Sequence, residues 1–152
     1  MNEGIRRVEW HPKGWGGELW LANNERYCGK LMFLEPGKRC SIHYHQLKLE
    51  DFAVLAGRMQ LDLYPDVPVI GDPSSYTDER RQRLLLGPGD AIQIPQRTPH
   101  QFVGIERTLF IETSTQHFEA DSYRVIVGDV LQDGEKASTP EFLVSIAKML
   151  PW

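Results

Sequence analysis

The stretch GKRCSIHYHQLKLEDFAVLAG, from Gly37 to Gly57, decides the predicted fold and carries most of the predicted chemistry. It contains His43 and His45, which are separated by one residue, and then Glu50. Side chains of a β-strand alternate between its two faces, so the two imidazoles are predicted to project together. A hairpin between this strand and the next would bring the Glu50 carboxylate back over them. The stretch therefore predicts three ligand groups that converge.

The strand faces that carry these groups are predicted to point into a core. Phe52 and Val54 share the face of Glu50, and a carboxylate on an apolar face is costly unless it is paired or bound to metal. Further along, GDAIQIPQRTPHQF places His100 at the start of another strand, with Phe102 on its face. Three imidazoles and one carboxylate suit Mn, Fe, Ni, Co or Zn. Taken singly, each histidine is also compatible with an ordinary surface or core position.

The composition is that of one ordinary globular domain. The chain has 152 residues, of which 41% are hydrophobic and 25% charged, with a formal net charge of -4. No long basic run is present, which argues against nucleic acid as a partner. The N-terminus has no apolar core like that of a signal peptide, and no segment approaches the ~20 apolar residues of a membrane span. We expect a soluble, cytoplasmic protein that does not bind membranes.

The two cysteines, Cys28 and Cys40, do not form a CxxC motif. They could pair with each other, but reduced intracellular thiols fit the sequence at least as well.

Most of the chain reads as short strands separated by turns. Strands are predicted in five segments, namely YCGKLMFLEPGKRCSIHYH, DFAVLAGRMQLDLY, RLLLGPGDAIQIP, RTLFIETS and SYRVIVGDV. The second segment reads as a hairpin through Gly57, and the loop from Pro65 to Arg80 could include an edge strand at Val67 to Ile70. Near the C-terminus, Thr139 as N-cap and Pro140 at the first helical position predict a closing helix. The pattern favours an all-β sandwich or a barrel of jelly-roll kind.

The opening stretch resembles the first motif of the cupin family, G-x5-H-x-H-x3-4-E-x6-G, at every position. The second cupin motif, G-x5-P-x-G-x2-H-x3-N, is matched in part, because Gly89, Pro95 and His100 occupy their places. Arg97 replaces the glycine of the family and Gly104 replaces its asparagine. These two departures fall on turn positions and not on ligands.

The resemblance implies a single cupin domain over residues 1–152, with a double-stranded β-helix barrel at about 28–128 and a short C-terminal helix. It also implies that one divalent metal ion is held by four ligands, which are His43, His45, Glu50 and His100. Gly37 and Gly57 would be turn residues, where a positive φ or close packing favours glycine.

A second resemblance concerns small sugar-isomerase cupins, which include D-lyxose isomerase-like proteins and the cupin domain of type II phosphomannose isomerases. It rests on the Trp15-Gly16-x-Glu18 segment, on the segment FIETSTQHFEADSYRV and on Lys48 before Glu50. It implies an aldose–ketose isomerase acting on a small-molecule substrate, a sugar or a sugar phosphate. In such a reaction a divalent metal stabilises the developing enediolate, and a base moves a proton between C1 and C2.

Glu112 is our first candidate for that base, because it shares a strand face with Phe110 and is predicted to point into the barrel. It could instead be a structural carboxylate paired with Arg124. Lys48 is the second catalytic candidate. It lies two residues before Glu50, so the two side chains would share one strand face, and it could polarise a carbonyl. The alternative is a lysine in solvent.

Arg97 and His117 are candidate substrate-binding residues. Arg97 lies three residues before His100 and could hold a phosphate or a carboxylate, or be a solvated loop arginine. His117 could contact substrate, although the sequence favours an exposed rim position.

Two other function classes remain open at this point. An Fe(II) dioxygenase could use the same four ligands and would favour an apolar pocket, whereas polar residues such as Lys48, Gln60, Gln93 and Glu112 would favour a polyol. A non-catalytic cupin could use the metal only to bind a small molecule, because function depends on the site and not on the fold. Cupins of this size and the edge strands of a jelly roll also lead us to expect a homodimer.

Overall fold

The structure is a computed structural model that describes residues 4–131. This part of the chain is built almost entirely of short β-strands, joined by turns and three single-turn 3₁₀ helices. The strands are β1 (Glu9–Lys13), β2 (Gly16–Asn23), β3 (Cys28–Leu34), β4 (Ile42–Tyr44), β5 (Glu50–Ala56), β6 (Met59–Leu63), β7 (Gln82–Leu86), β8 (Ala91–Ile94), β9 (His100–Gly104), β10 (Thr108–Ser114) and β11 (Tyr123–Ile126). The 3₁₀ helices are Pro73–Ser75, Asp78–Arg80 and Glu119–Asp121.

The strands form two antiparallel sheets that face each other. The first sheet has the order β1-β2-β3-β10-β5-β8 and the second has the order β11-β4-β9-β6-β7. Strands that follow one another in sequence often lie in different sheets, as β3 and β4 do. This arrangement confirms the predicted all-β jelly roll, a double-stranded β-helix of cupin type.

Two strand pairings that the sequence suggested are wrong. β5 and β6 do not form a hairpin through Gly57, because β5 pairs with β10 and β8 while β6 pairs with β7 and β9. β4 and β5 likewise lie in opposite sheets, so Glu50 does not reach the histidines by strand pairing. Local sequence patterns indicate strands well, but the pairing partners are distant along the chain.

The proline-rich loop also differs from expectation. Val67 to Ile70 do not form an edge strand, and the two 3₁₀ turns at Pro73–Ser75 and Asp78–Arg80 follow instead.

The helix predicted from Thr139 onward lies outside the described residues. Within residues 4–131 no helix has the length and the apolar character needed to cross a bilayer. Cys28 and Cys40 are both buried and free.

A cluster of three phenylalanines joins the two sheets at the centre of the barrel. Phe52 and Phe110 come from the first sheet and Phe102 from the second, and their ring centroids lie 5.1 to 6.1 Å apart in edge-on pairs. These distances fall within the favourable range for aromatic pairs. His100 contacts the same cluster, with 6.0 Å between its ring centroid and that of Phe52. The apolar core therefore borders the predicted metal site directly.

The two glycines that bound the opening stretch both have positive φ, at +74° for Gly37 and +84° for Gly57. Their surroundings differ. A Cβ added to Gly37 would meet no atom within 4 Å, whereas a Cβ added to Gly57 would overlap the carbonyl oxygen of Arg107. Both positions therefore favour glycine for its backbone conformation, and Gly57 additionally requires it for close packing.

We expect Gly57→Ala to destabilise the fold more than Gly37→Ala does. The left-handed conformation alone should cost about 1 kcal/mol in either variant, and the backbone overlap at Gly57 should add about 2 kcal/mol. Urea unfolding of the two variants measures the difference directly. Equal losses of unfolding free energy would show that the packing of Gly57 against Arg107 does not constrain the fold.

Candidate metal centre

The three predicted histidine ligands lie together on one side of the barrel interior. His43 on β4 pairs directly with His100 on β9, and His45 follows β4 immediately. The three side chains offer ring nitrogens that all lie within 4.8 Å of one another. The i, i+2 spacing therefore places His43 and His45 together, as expected, and the neighbouring strand supplies His100.

Each of the three imidazoles is oriented by a backbone carbonyl. The Nδ1 atoms of His43, His45 and His100 lie 2.9, 3.0 and 2.9 Å from the carbonyl oxygens of Ser41, Asp121 and Thr98, respectively. A carbonyl oxygen can only accept, so each Nδ1 carries a proton, and in the neutral imidazole the lone pair is then on Nε2. This is the outer-shell arrangement that fixes a histidine for metal binding.

Glu50 approaches the histidines from the opposite sheet. Its Oε1 lies 2.9 Å from Nε2 of His100 and 3.6 Å from Nε2 of His45. The Oε1 atom of Glu50 and the Nε2 atom of His100 are buried, yet neither makes a hydrogen bond of acceptable geometry. Two buried polar atoms so close, without a hydrogen bond between them, are what two ligands of one cation require. The residues present therefore fit a divalent metal ion.

The site is electrostatically prepared for a cation. Burial lowers the pKa of His45 to about 4 and that of His43 well below its usual value, so both imidazoles are neutral at pH 7. Burial alone would raise the pKa of Glu50, but His100 and Lys48 outweigh it and hold that pKa well below its usual range. Neutral imidazoles and an ionised carboxylate are the forms that bind metal.

Lys48 connects Glu50 to Glu112, the other predicted catalytic residue. Its side chain is 2% exposed, and Nζ lies 3.1 Å from Oε2 of Glu50, 3.3 Å from Oε2 of Glu112 and 3.4 Å from Nδ1 of His117. An ammonium group has three donors, and three acceptors surround this one. Lys48 is therefore not a solvated hairpin lysine, and it holds two carboxylates in one charged cluster.

Glu112 lies on β10 and points into the barrel, as predicted from its position on the same strand face as Phe110. Its Oε2 contacts Lys48 and lies 3.8 Å from Nζ of Lys30, whereas its Oε1 has no hydrogen-bond partner in the described part of the chain. Arg124, the partner named in the structural alternative, forms no hydrogen bond or ion pair with Glu112 among the described residues. Burial raises the pKa of Glu112 to about 7, since the nearby lysines offset the loss of solvation only in part.

The buried charges form one continuous row, which we call the ion-pair chain: Glu50, Lys48, Glu112, Lys30 and Glu18. The last link joins Nζ of Lys30 to Oε1 of Glu18 at 3.1 Å. The ion-pair chain, apart from Glu50, lines a cavity of about 400 Å³, whose apolar lining includes Trp15, Met32 and Phe102. Gln60 and Gln93 do not line this cavity, contrary to expectation, and the ion-pair chain makes it polar instead.

The two predicted substrate-binding residues are placed differently. His117 is buried, not exposed as the sequence suggested, and it lines the cavity between Lys48 and Glu119. Arg97 is exposed in the turn before His100, outside the residues that line the cavity. Its φ of +59° explains why the corresponding cupin position is a glycine.

Asp121 is a functional residue that the sequence analysis missed. Its carboxylate accepts hydrogen bonds from the backbone amides of Gln46, Leu47 and Lys48, at 2.9 to 3.2 Å, and its carbonyl oxygen accepts from His45. One buried residue thus holds both the turn between the ligands and one ligand ring. The partners are more than seventy positions apart, and no local sequence signal identifies them.

Comparison with characterised proteins agrees with this geometry. The chain is 29% identical over 114 residues to the D-lyxose ketol-isomerase of Thermofilum sp. (strain ex4484_79), covering 66% of this chain and 63% of that protein. It is 28% identical over 88 residues to the mannose-1-phosphate guanylyltransferase of Sinorhizobium fredii (strain NBRC 101917 / NGR234), covering 55% of this chain but 17% of that enzyme. The chain thus spans less than two thirds of the length of either relative.

The fold is shared with solved sugar isomerases. The L-ribose isomerase of Cellulomonas parahominis superposes with a TM-score of 0.60 at 19% identity, over 72% of this chain and 69% of that one. The family model described as D-lyxose isomerase matches residues 17–123, a range that contains the four candidate ligands and the whole ion-pair chain. This protein therefore belongs to the D-lyxose isomerase family.

Proposed function

We propose that the protein is an aldose–ketose isomerase that acts on a sugar, with His43, His45, Glu50 and His100 holding one divalent metal ion. The observation that carries the proposal is the position of Glu112. Its buried carboxylate contacts Nζ of Lys48, and the same Nζ contacts the carboxylate of the metal ligand Glu50. Family membership supports the reaction class, and the related L-ribose isomerase has been solved with L-ribose, which is an aldopentose.

When bound, the metal supplies Lewis-acid stabilisation of the negative charge that develops on substrate oxygens. The remaining chemistry falls to the side chains of this chain. Glu112 is the proposed base that takes a proton from the carbon beside the carbonyl and returns it to the former carbonyl carbon, while the hydroxyl proton passes from the second oxygen to the first. Its Oε1 lacks a partner among the described residues, which leaves that oxygen available to substrate in the cavity.

Lys48 and Lys30 have a positioning role in this proposal. Both donate to or face Oε2 of Glu112, at 3.3 and 3.8 Å, and so fix the carboxylate with its other oxygen free. Lys48 is held in turn by Glu50, which keeps the base at a constant distance from the metal ligands. His117 is the proposed substrate contact on the same face, because it lines the cavity beside Lys48.

The polar ion-pair chain favours a polyol over the apolar substrate of a typical dioxygenase. Four of its charged side chains, Glu18, Lys30, Lys48 and Glu112, line the cavity and offer hydrogen-bond partners to hydroxyl groups. An isomerase also needs a base near the metal, and Glu112 supplies one. A protein that only bound a ligand would have no need of such a base.

We extend the proposal to a homodimer in the cytoplasm. Within residues 4–131 the two sheets end in β1, β8, β11 and β7, and the outer edges of these strands, which pair with no further strand of that range, offer places for a second copy. The free thiols of Cys28 and Cys40 agree with a reducing compartment.

His45→Ala should abolish tight metal binding, because a neutral ligand that is already oriented by Asp121 is lost. The measurement is the metal content per chain after dialysis against a weak chelator. His11→Ala is the matched control, since His11 is partly exposed and belongs neither to the histidine cluster nor to the lining of the cavity. Retention of one ion per chain in His45→Ala would contradict the assigned site.

Glu112→Gln should keep the metal and lower kcat by about a hundredfold or more, which is the usual contribution of a general base. The fold should survive, since Lys48 retains Glu50 and Lys30 retains Glu18 as partners. Ketose formation from a panel of pentoses and hexoses gives the rate, and metal analysis of the same samples gives the control. Isomerisation at the wild-type rate would assign the base to another residue.

The rate should rise with pH as Glu112 loses its proton. The protonated carboxyl cannot accept a proton, and its pKa is about 7 before a cation binds. A bound cation lowers that pKa, so kcat/KM should increase with a slope of one proton, with a midpoint at or below 7. A kcat/KM that instead falls between pH 5 and 8 would be incompatible with a carboxylate base.

A further inference from the structure

The proposed proton transfer gives Lys30 a positioning role beside Glu112 but leaves its ion pair with Glu18 unexplained. Glu18 lies on β2 and Lys30 on β3, and the side chains are 12% and 1% exposed, respectively. A buried ion pair seldom adds net stability, and well-packed apolar residues often replace one without loss. A pair kept inside a cavity therefore calls for a role other than stability.

The hydrogen-bond inventory of this pair leaves groups available to a ligand. Oε1 of Glu18 accepts from Nζ of Lys30 at 3.1 Å and from Nε1 of Trp20 at 2.9 Å. Oε2 of Glu18 has no hydrogen-bond partner within residues 4–131. Nζ of Lys30 donates one hydrogen bond, to Glu18, and otherwise lies 4.6 Å from the Trp20 ring centroid and 3.8 Å from Glu112.

Both residues line the cavity that holds the proposed reaction. Along the ion-pair chain, Glu18 and Lys30 lie beyond Glu112 as seen from the metal ligand Glu50. A substrate with its first two carbons at Glu112 and the rest of its chain along this row would meet one carboxylate oxygen, which accepts, and one ammonium group, which donates.

We propose that Glu18 and Lys30 form a subsite that binds the distal hydroxyl groups of the substrate, those beyond the carbons that exchange the proton. This inference rests on the proposed function and specifies its substrate class as polyols of more than three carbons. A hydroxyl group both donates and accepts, so a neighbouring carboxylate and ammonium can bind two adjacent hydroxyls together. Hydrogen bonds to charged groups are also stronger than those between neutral groups, which favours hydroxyl-rich chains over short ones.

The kinetic test compares Glu18→Gln with wild type on D-lyxose and on glyceraldehyde, which has no fourth or fifth carbon. The variant should raise the KM for D-lyxose by about tenfold. Its kcat, its metal content and its KM for glyceraldehyde should change by less than twofold. Glu35→Gln is the matched control, because Glu35 also forms an ion pair, with Arg107, but on the exposed surface. Equal losses on both substrates, or an unchanged KM for D-lyxose, would overturn the subsite.

A binding measurement separates this inference from the proposed function, because it needs no turnover. Calorimetry of the metal-loaded protein should show xylitol binding at least about tenfold more tightly than glycerol, and Glu18→Gln should remove most of that difference. The double variant Glu18→Leu/Lys30→Met should lose it entirely while its Tm stays the same or rises.

If wild type forms no ketose yet shows this discrimination, the isomerase proposal fails and the subsite stands. If wild type forms ketose but the double variant still discriminates, the subsite fails alone. If it neither forms ketose nor discriminates, both fail.

Discussion

The contact of Lys48 with two buried carboxylates is the interaction on which the rest of the site depends. Glu50 and Glu112 come from neighbouring strands of one sheet, and two carboxylates at this depth would repel each other without a cation between them. Lys48 supplies that cation and leaves one oxygen of Glu50 directed at the histidines. The same ammonium group therefore sets both the charge of the metal ligand and the position of the proposed base.

Asp121 explains how such a cluster stays in place on a short turn. The turn after His45 presents three consecutive backbone amides, those of Gln46, Leu47 and Lys48, and the buried Asp121 carboxylate accepts from all three. Its carbonyl also fixes the tautomer of His45. Asp121 thus links the segment after β10 to the turn that follows β4, and these hydrogen bonds hold His45 and Lys48 at the site.

The sequence predicted the four candidate ligands and the inward direction of Glu112, because strand periodicity acts over neighbouring residues. Phe52 beside Glu50 and Phe110 beside Glu112 were sufficient to assign those faces, and both pairs are buried. Strand pairing was not predictable in the same way, since the partners of β4 and β5 lie far along the chain. Lys30 and Glu18 were missed as an ion pair although β2 and β3 are consecutive, because each looks like an ordinary strand residue until the register of the two strands is known. His117 was expected to be exposed, and its burial depends on contacts with Asn23 and Lys48 that no local pattern reveals.

The most direct test of this account is to load the wild-type protein with Mn, count the ions per chain and assay ketose formation from pentoses, hexoses and their phosphates. The account predicts one divalent ion per chain and a ketose product from at least one aldose with four or more carbons. One bound ion per chain without ketose from any sugar would contradict the isomerase assignment and leave a metal-binding protein of another class. Absence of stoichiometric metal would contradict the site itself.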